Sequence, residues 1–255
     1  MNSMTDNMKP NLLTIYRNET WVEFLKVIRQ PGFTIPSLCF PVMFYVFFGV
    51  VFTMAANMPS YLLATYGTFG VIGPSLFAFG LGIAIERGQG WFDLKEVFPM
   101  PFSAQIISRV LVSSAFAGMI IILLFLVGAV FAEVRLLRWQ WVMLAVTLLV
   151  GTLPFCLMGL TMGLTLKSSV APAVVNLVYL PMSFLSGLWI PIQLFPDVMQ
   201  TIALILPPYH LAQLALNVLD MAQSQAIGLH IGVLTAYTLL FAFLANRAFK
   251  KGRQS

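Results

Sequence analysis

The chain has 255 residues, of which 59% are hydrophobic and only 9% are charged. A soluble domain of this size could not bury so much apolar surface, so the composition indicates an integral membrane protein. The net charge is +5, but the basic residues lie in short groups between apolar runs rather than in one patch with interleaved aromatic residues. This distribution is typical of membrane topology and argues against a nucleic-acid partner.

The N-terminal residues 1–32 are predicted to form a cytoplasmic interfacial helix. Trp21, Phe24, Leu25 and Ile28 follow the i, i+3, i+4, i+7 spacing of one helix face. We expect this face to lie in the membrane interface, with Trp21 at headgroup depth. The alternative is a helix that only anchors the first span.

Six apolar runs are each long enough to cross about 30 Å of hydrocarbon. Gly67, Gly70 and Gly73 recur in the second run, and Gly159 and Gly163 in the fourth. Small residues at such spacing favour close helix packing, which we prefer to a gating kink in the second run. The predicted transmembrane helices are residues 33–54, 61–85, 110–132, 141–166, 170–190 and 226–245.

Residues 86–109 interrupt the apolar runs with ionisable side chains and are predicted to be a water-facing loop, because such side chains are expelled from hydrocarbon. A short amphipathic helix over 93–98 would end at Pro99 and Pro101. The ionisable residues are Glu86, Arg87, Asp93, Lys95, Glu96 and Arg109.

Residues 191–220 contain an uncharged stretch, 198–219, that has the length of a seventh span. Pro207-Pro208 divides it, and at 1.5 Å per residue each half covers only about half of the hydrocarbon thickness. A re-entrant helical hairpin on the outer side therefore fits better. With six spans and both termini inside, every Lys and Arg except Arg135 and Arg138 lies on the cytoplasmic side, as the positive-inside rule expects.

Two regions of this chain resemble the ABC-2 type transporter permeases. The first is Glu86-Arg87-Gly88 with Gly90 and Pro99-Met100-Pro101, which is similar to the cytoplasmic loop of that family. The second is Ser186-Gly187-Leu188-Trp189-Ile190-Pro191, followed by Leu206-Pro207-Pro208-Tyr209-His210, which resembles the region before the family's last span. The short link between the first two runs places the chain with compact members that lack a large extracytoplasmic domain.

The resemblance implies an all-α integral membrane protein, a single domain over residues 1–255, with the type V exporter fold. It implies a coupling helix that docks on an ATPase, and a half-transporter that forms a homodimer and pairs with two separately encoded ATPase subunits. The candidate coupling residues are Glu86, Arg87, Gly88, Trp91, Asp93, Lys95 and Glu96. The candidate outer-gate residues are Gly187, Trp189, Pro191, Pro207 and Pro208.

The chain lacks the residues of an ATP site. Lys167 is the only Lys before a Ser or Thr, and Leu166 precedes it where a P-loop has Gly. ATP and Mg²⁺ are therefore expected on the partner, and the chain is predicted not to be an enzyme. No metal or other cofactor is expected here. Cys39 and Cys156 are predicted to be buried thiols, and His210 and His230 to be interfacial residues without ligand-spaced companions.

Spans one to five carry no deeply placed Asp, Glu, Lys, Arg or His in this assignment, which argues against a proton-coupled secondary carrier or a channel with a charged filter. Asn176 is predicted to pack against a neighbouring helix rather than face a path. The sequence therefore predicts the permease of a bacterial inner-membrane ABC exporter for a hydrophobic or amphipathic substrate (drug, antibiotic or lipid). The alternatives are a polysaccharide or glycan exporter and, behind it, a secondary carrier or membrane scaffold.

Overall fold

A computed structural model describes residues 11–52, 55, 57–90 and 102–252, and within these residues the chain is helical without a β-strand. A π-helical turn, Val46–Val51, continues the second helix, and a 3₁₀ turn, Ile192–Leu194, follows the seventh. The α-helices are α1 (Leu12–Ile28), α2 (Pro31–Tyr45), α3 (Met58–Gly88), α4 (Phe102–Val130), α5 (Arg138–Val150), α6 (Leu153–Thr165), α7 (Ala171–Leu185), α8 (Asp197–Ala203), α9 (Pro207–Val218) and α10 (Ile227–Gly252).

Five helical segments of the described chain are long and apolar enough to cross a membrane: residues 31–51, 58–88, 103–130, 138–165 and 227–251. The predicted fifth span is shorter than expected, since α7 has only 15 residues. It ends because Gly187 adopts a positive φ of 74°. The backbone N–H of Gly187 bonds to Phe184 and that of Leu188 to Ser183, which is the Schellman arrangement that terminates helices.

The central helix is α3, 31 residues long, and α6 packs directly against its backbone. A Cβ atom at Gly159 would lie 2.9 Å from the carbonyl oxygen of Leu76, and one at Gly163 would lie 2.5 Å from that of Phe79. No side chain fits at either position without moving a helix. The predicted packing role of this glycine pair is therefore confirmed.

The glycines of α3 each make room for a different neighbour. A Cβ atom at Gly67 would lie 2.8 Å from Leu148, and one at Gly70 would lie 2.6 Å from Ile120. At Gly73 the nearest atom is the hydroxyl oxygen of Tyr179, at 3.1 Å. These contacts with α5, α4 and α7 confirm close packing as the role of the repeat.

The predicted break at Pro207-Pro208 is confirmed. Helices α8 and α9 meet at an angle of 87°, and the two prolines form the first turn of α9. At 7 and 12 residues, neither helix is long enough to cross a bilayer alone, because each residue advances a helix by only about 1.5 Å.

Several sequence-based boundaries are wrong. Glu86, Arg87 and Gly88 belong to α3, which continues past residue 85, and Arg109 lies within α4 rather than in a loop. Continuous backbone hydrogen bonding carries both helices beyond the apolar runs. Cys39 is exposed on the side of α2, whereas Cys156 is buried as predicted. The predicted short helix over 93–98 lies outside the described residues.

Candidate functional site

Four charged side chains from three helices meet where α3 ends and α4 begins; we call this the charged end. The Arg109 guanidinium lies 2.6 Å from Glu86 and 3.5 Å from Glu23, measured from Nη2 to the carboxylate oxygens. The Lys26 ammonium lies 2.8 Å from Glu23 and 3.2 Å from Glu86. Arg109 and Glu23 are each only 4% exposed, so the cluster joins α1, α3 and α4 through largely buried charges.

The backbone of α3 is shaped to receive Arg109. Arg109 Nη1 donates to the carbonyl oxygen of Ala78 at 3.1 Å, and a Cβ atom at Gly82 would lie only 2.8 Å from the same nitrogen. Ala78, Gly82 and Glu86 are spaced four residues apart and therefore lie on one helix face. On that face, Ala78 supplies a carbonyl acceptor, Gly82 leaves room and Glu86 supplies a negative charge. All three serve the Arg109 guanidinium.

Burial alone lowers the pKa of Lys26, but the hydrogen bonds and charges of Glu23 and Glu86 outweigh it, so the pKa is raised. Lys26 therefore stays protonated at physiological pH. The charged cluster cannot be predicted from the sequence pattern, because Glu23 and Arg109 are far apart in the chain. The one sequence feature that points to it is Gly82, one helical turn before Glu86, which leaves room for the Arg109 side chain.

Glu86 and Arg87 do not pair with each other but serve two different contacts. The Arg87 side chain donates to the carbonyl oxygens of Gly163 and Leu164. These carbonyls belong to the last turn of α6, where a cation both caps free acceptors and complements the helix dipole. Next to it, a Cβ atom at Gly88 would lie 2.8 Å from that of Ser168, so the end of α3 is fixed against the α6–α7 turn.

The remaining predicted coupling residues, Trp91, Asp93, Lys95 and Glu96, lie outside the described residues. The structure therefore places only Glu86, Arg87 and Gly88 of that set, and it places them where they fix the helix from which the segment 91–101 departs.

Helix α1 presents its predicted apolar residues unequally. Trp21 is 59% exposed and Ile28 is 41% exposed, whereas Phe24 and Leu25 are half-buried. Phe24 contacts Phe116 of α4, with ring centroids 6.1 Å apart. Thr20 donates to the Ser108 hydroxyl at 3.1 Å. The helix is thus fastened to α4 by one side and leaves Trp21 and Ile28 facing outward.

An apolar groove of about 450 Å³ runs between α2, α3 and α7. Aromatic side chains dominate its walls, and no Asp, Glu, Lys, Arg or His of the described chain lines it. Its polar groups are Ser37, Asn176 and the Tyr179 hydroxyl, and the last of these donates to the Phe69 carbonyl at 3.0 Å. The aromatic lining residues are Phe33, Phe40, Phe44, Phe69, Phe77, Tyr179 and Trp189.

Trp189 lines this groove and packs against its aromatic walls. Its ring stacks on Phe44 at 5.9 Å and meets Phe69 edge-on at 5.5 Å, between centroids. Asn176 donates to the Pro172 carbonyl of its own helix and is exposed in the groove. Within the described chain, Asn176 therefore makes its side-chain hydrogen bond inside its own helix and not, as predicted, to a neighbouring one.

The end of the bundle that holds α8 and α9, which we call the hairpin end, contains a histidine pair. His210 of α9 and His230 of α10 are buried, with their Nδ1 atoms 2.8 Å apart. His210 Nε2 lies 2.9 Å from the Leu204 carbonyl oxygen. It must therefore donate there, and in a neutral ring its Nδ1 accepts from His230. The two histidines were expected to be interfacial and without ligand-spaced companions; they are instead buried and bonded to each other, and no group of three potential metal ligands occurs among the described residues.

The predicted outer-gate residues separate into two groups. Pro207 and Pro208 are buried inside the bundle, since α9 packs against α3, α5 and α10. Helix α8 and the turn before it are exposed instead, with Leu194 and Val198 each 72% exposed. Gly187 serves as the end of α7. A Cβ atom there would lie 2.9 Å from that of Ile192, so it also allows the chain to turn back sharply.

The family model described as ABC-2 type transporter matches residues 17–219. That range contains the charged cluster, the groove and the bent helix pair. The chain belongs to the ABC-2 type transporter family. A relative from Bacillus subtilis (strain 168), named "Putative transport permease YvfS", is 28% identical over 245 residues, covering 94% of this chain and 98% of the relative. The ABC-2 permease is thus a membrane transport component, and its family implies association with an ABC ATPase.

Proposed function

We propose that this permease is the membrane subunit of an ATP-driven exporter that moves a hydrophobic or amphipathic molecule, such as a drug, an antibiotic or a lipid, across the bacterial cytoplasmic membrane. The observation that carries the proposal is the aromatic groove between α2, α3 and α7. Aromatic walls with a few uncharged polar groups favour an apolar ligand held by surface contact. Asn176 and Ser37 would orient it.

The energy for transport would come from a partner, because the sequence contains no P-loop. We expect two ATPase subunits, which bind ATP and Mg²⁺, to dock at the charged end through the segment 91–101. Glu86 attaches the end of α3 to α1 and α4, and Arg87 attaches it to α6. A displacement of the segment 91–101 would therefore be transmitted to these three helices.

A homodimer would complete the path. The groove is open on one side of the single chain, where Phe40 is 50% exposed. A second copy placed against this side would enclose the groove between two sets of aromatic walls. The exposed α8 would then lie over the outer end of the path, while the buried α9 stays fixed.

The six-span topology follows if α7 and residues 186–190 form the remaining crossing and the α8–α9 pair is re-entrant on the outer side. The charged end is then cytoplasmic, together with the Lys250 and Lys251 end of α10. In a background of Cys39→Ala and Cys156→Ala, a Gln193→Cys variant should react with an impermeant thiol reagent in intact cells. A Lys251→Cys variant should react only after permeabilisation; labelling of intact cells would contradict this topology.

Transport itself is tested by reconstituting the permease with its ATPase and measuring ATP hydrolysis stimulated by amphiphiles. Phe40 lines the groove and is 50% exposed, whereas Phe47 is 49% exposed on the same segment but lies outside the groove. Because a ring–ligand contact contributes roughly 0.5–1.5 kcal/mol, Phe40→Ala should raise the half-maximal substrate concentration about two- to twelvefold. Phe47→Ala should leave it unchanged. Equal effects of the two variants would remove the groove from the path.

A further inference from the structure

A second cavity of about 340 Å³ lies at the charged end, between α1, α2, α3 and α4; we call it the vestibule. Its polar lining comes from the charged cluster together with Gln30 and Gln89, and its apolar lining includes Phe33 and Phe77. The cluster has a structural role, but the cavity beside it has none in the packing of the bundle.

The vestibule and the groove share a wall. Phe33 of α2 and Phe77 of α3 line both cavities, and their ring centroids are 5.8 Å apart with the planes inclined by 49°. The two cavities are therefore neighbours, one with charged and polar side chains and one with an apolar lining, and the two rings lie between them.

The charges of the vestibule select among polar groups. Among the described residues, two carboxylates and two cations line the vestibule, each within 3.5 Å of an opposite charge, so side chains of both signs are present. A ligand group with a net charge would leave one charge uncompensated in a largely buried site. A zwitterionic group brings one charge of each sign. Lys26, whose side chain is 43% exposed, has three ammonium hydrogens and uses two on Glu23 and Glu86.

We infer that the vestibule binds the polar end of the transported molecule, that this end is zwitterionic, and that the Phe33–Phe77 pair separates it from the apolar part held in the groove. This inference rests on the proposed function and adds the class of substrate to it. A polar end bound beside Glu86 would also place the substrate next to the helix that leads to the ATPase segment.

The test uses the full-length permease with its ATPase in nanodiscs of an uncharged galactolipid. The probes are dodecyl amphiphiles with a phosphocholine, a trimethylammonium or a phosphate head. Each carries a photoreactive diazirine at either the head or the end of the tail. We expect head-labelled phosphocholine to crosslink to vestibule residues such as Lys26 and Gln89, and tail-labelled probe to crosslink to Phe40 or Leu180 in the groove. The two charged analogues should need about tenfold higher concentrations, since one uncompensated charge in a partly buried site is worth at least that ratio.

Gln89 offers a charge test that leaves the cluster intact, because it is exposed and lines the vestibule without an ion pair in the described chain. Gln89→Lys should shift the preference toward the phosphate probe, and Gln89→Glu toward trimethylammonium. The exposed Gln193→Lys at the hairpin end is the matched control and should shift nothing.

The outcomes separate the two proposals. Tail crosslinks in the groove with head crosslinks outside the vestibule, or a preference that ignores Gln89→Lys, would overturn the vestibule inference and leave the transport proposal standing. If no probe crosslinks in the groove and none stimulates ATP hydrolysis, the transport proposal fails, and the vestibule inference fails with it.

Discussion

At the charged end, Arg109 and Lys26 join Glu23 to Glu86 through four ion pairs, whereas at the hairpin end His210 and His230 join α9 to α10 through one bond between ring nitrogens. Both contacts are largely buried and both connect different helices, distant in sequence at the charged end and consecutive at the hairpin end. They differ in what remains when one partner is removed: an unpaired charge at the first end, an unpaired neutral nitrogen at the second.

This difference predicts different tolerance to change. A buried charge without its partner destabilises a protein strongly, because its hydration is lost and nothing replaces it. A buried neutral donor without an acceptor is less unfavourable. The charged end is therefore specified by a set of residues that must change together. The hairpin end, which lies over the proposed exit, can lose its contact and still fold.

The largest effect is expected from Arg109→Ala. Among the described residues, removing this guanidinium leaves Lys26 as the one cation paired with Glu23 and Glu86, so the free energy of unfolding should fall by about 3–5 kcal/mol. The measurement is the yield and thermal stability of the permease in detergent. Arg138→Ala, at an exposed arginine of α5, is the matched control and should be close to wild type.

Rescue distinguishes a charge effect from a packing effect. The double variant Arg109→Met, Glu86→Gln removes one cation together with one anion, leaves Lys26 paired with Glu23, and should recover part of the stability. If Arg109→Ala were as stable as Arg138→Ala, the cluster would not hold the three helices together.

The cluster shows where sequence analysis stops. Arg109 follows a run of polar and proline residues, so pattern alone assigned it to water. The structure brings α1, α3 and α4 together, and only there does Arg109 pair with two carboxylates inside the bundle. The helix break at Pro207-Pro208 was predictable because proline acts through its own backbone. Pairings between distant residues depend on tertiary packing, which a single sequence does not display.

The second prediction compares the contribution of backbone packing near the charged end to stability with that of the ion pairs. Gly163→Ala would place a methyl group 2.5 Å from the Phe79 carbonyl oxygen. The helices would have to separate, which costs about 3 kcal/mol, the upper end for overpacking. Gly118→Ala is the matched control, because a Cβ atom there meets nothing within 4 Å. Alanine is the better helix former, so Gly118→Ala should be neutral or slightly stabilising. Equal melting temperatures for both variants would contradict the close packing of α3 and α6.

The sequence predicted that these glycines allow close helix packing, but it did not predict which helix packs against them. Spacing showed that Gly159 and Gly163 share one helix face, which is a local property. It did not show that the face meets the backbone of α3. Gly187 illustrates the same limit: its positive φ ends α7, and a sequence does not distinguish a glycine that makes room for a neighbouring helix from one that turns the chain.

The third prediction addresses the hairpin end. His210→Ala leaves the buried Nδ1 donor of His230 without its acceptor, so we expect a loss of about 2 kcal/mol in unfolding free energy. The double variant His210→Phe, His230→Leu removes both polar partners and should lie closer to wild type than the single variant. Thermal melting of the purified permease measures both. A double variant less stable than the single one would mean that the pair does more than satisfy its own nitrogens.

The smallest effect is expected from Arg87→Ala, which also decides between two roles for this residue. In the structure the Arg87 side chain donates hydrogen bonds to the carbonyl oxygens of Gly163 and Leu164. Because Arg87 is exposed, its loss should lower stability by only about 1 kcal/mol. If that contact is its role, Arg87→Lys, which keeps a cation at the end of α6, should restore part of the stability, and assembly with the ATPase should stay normal in both variants. If Arg87 instead contacts the ATPase, both variants should keep their melting temperature and lose substrate-stimulated ATP hydrolysis. We expect the first pattern, since a side chain that holds the end of α3 against α6 positions the segment 91–101 without touching the partner.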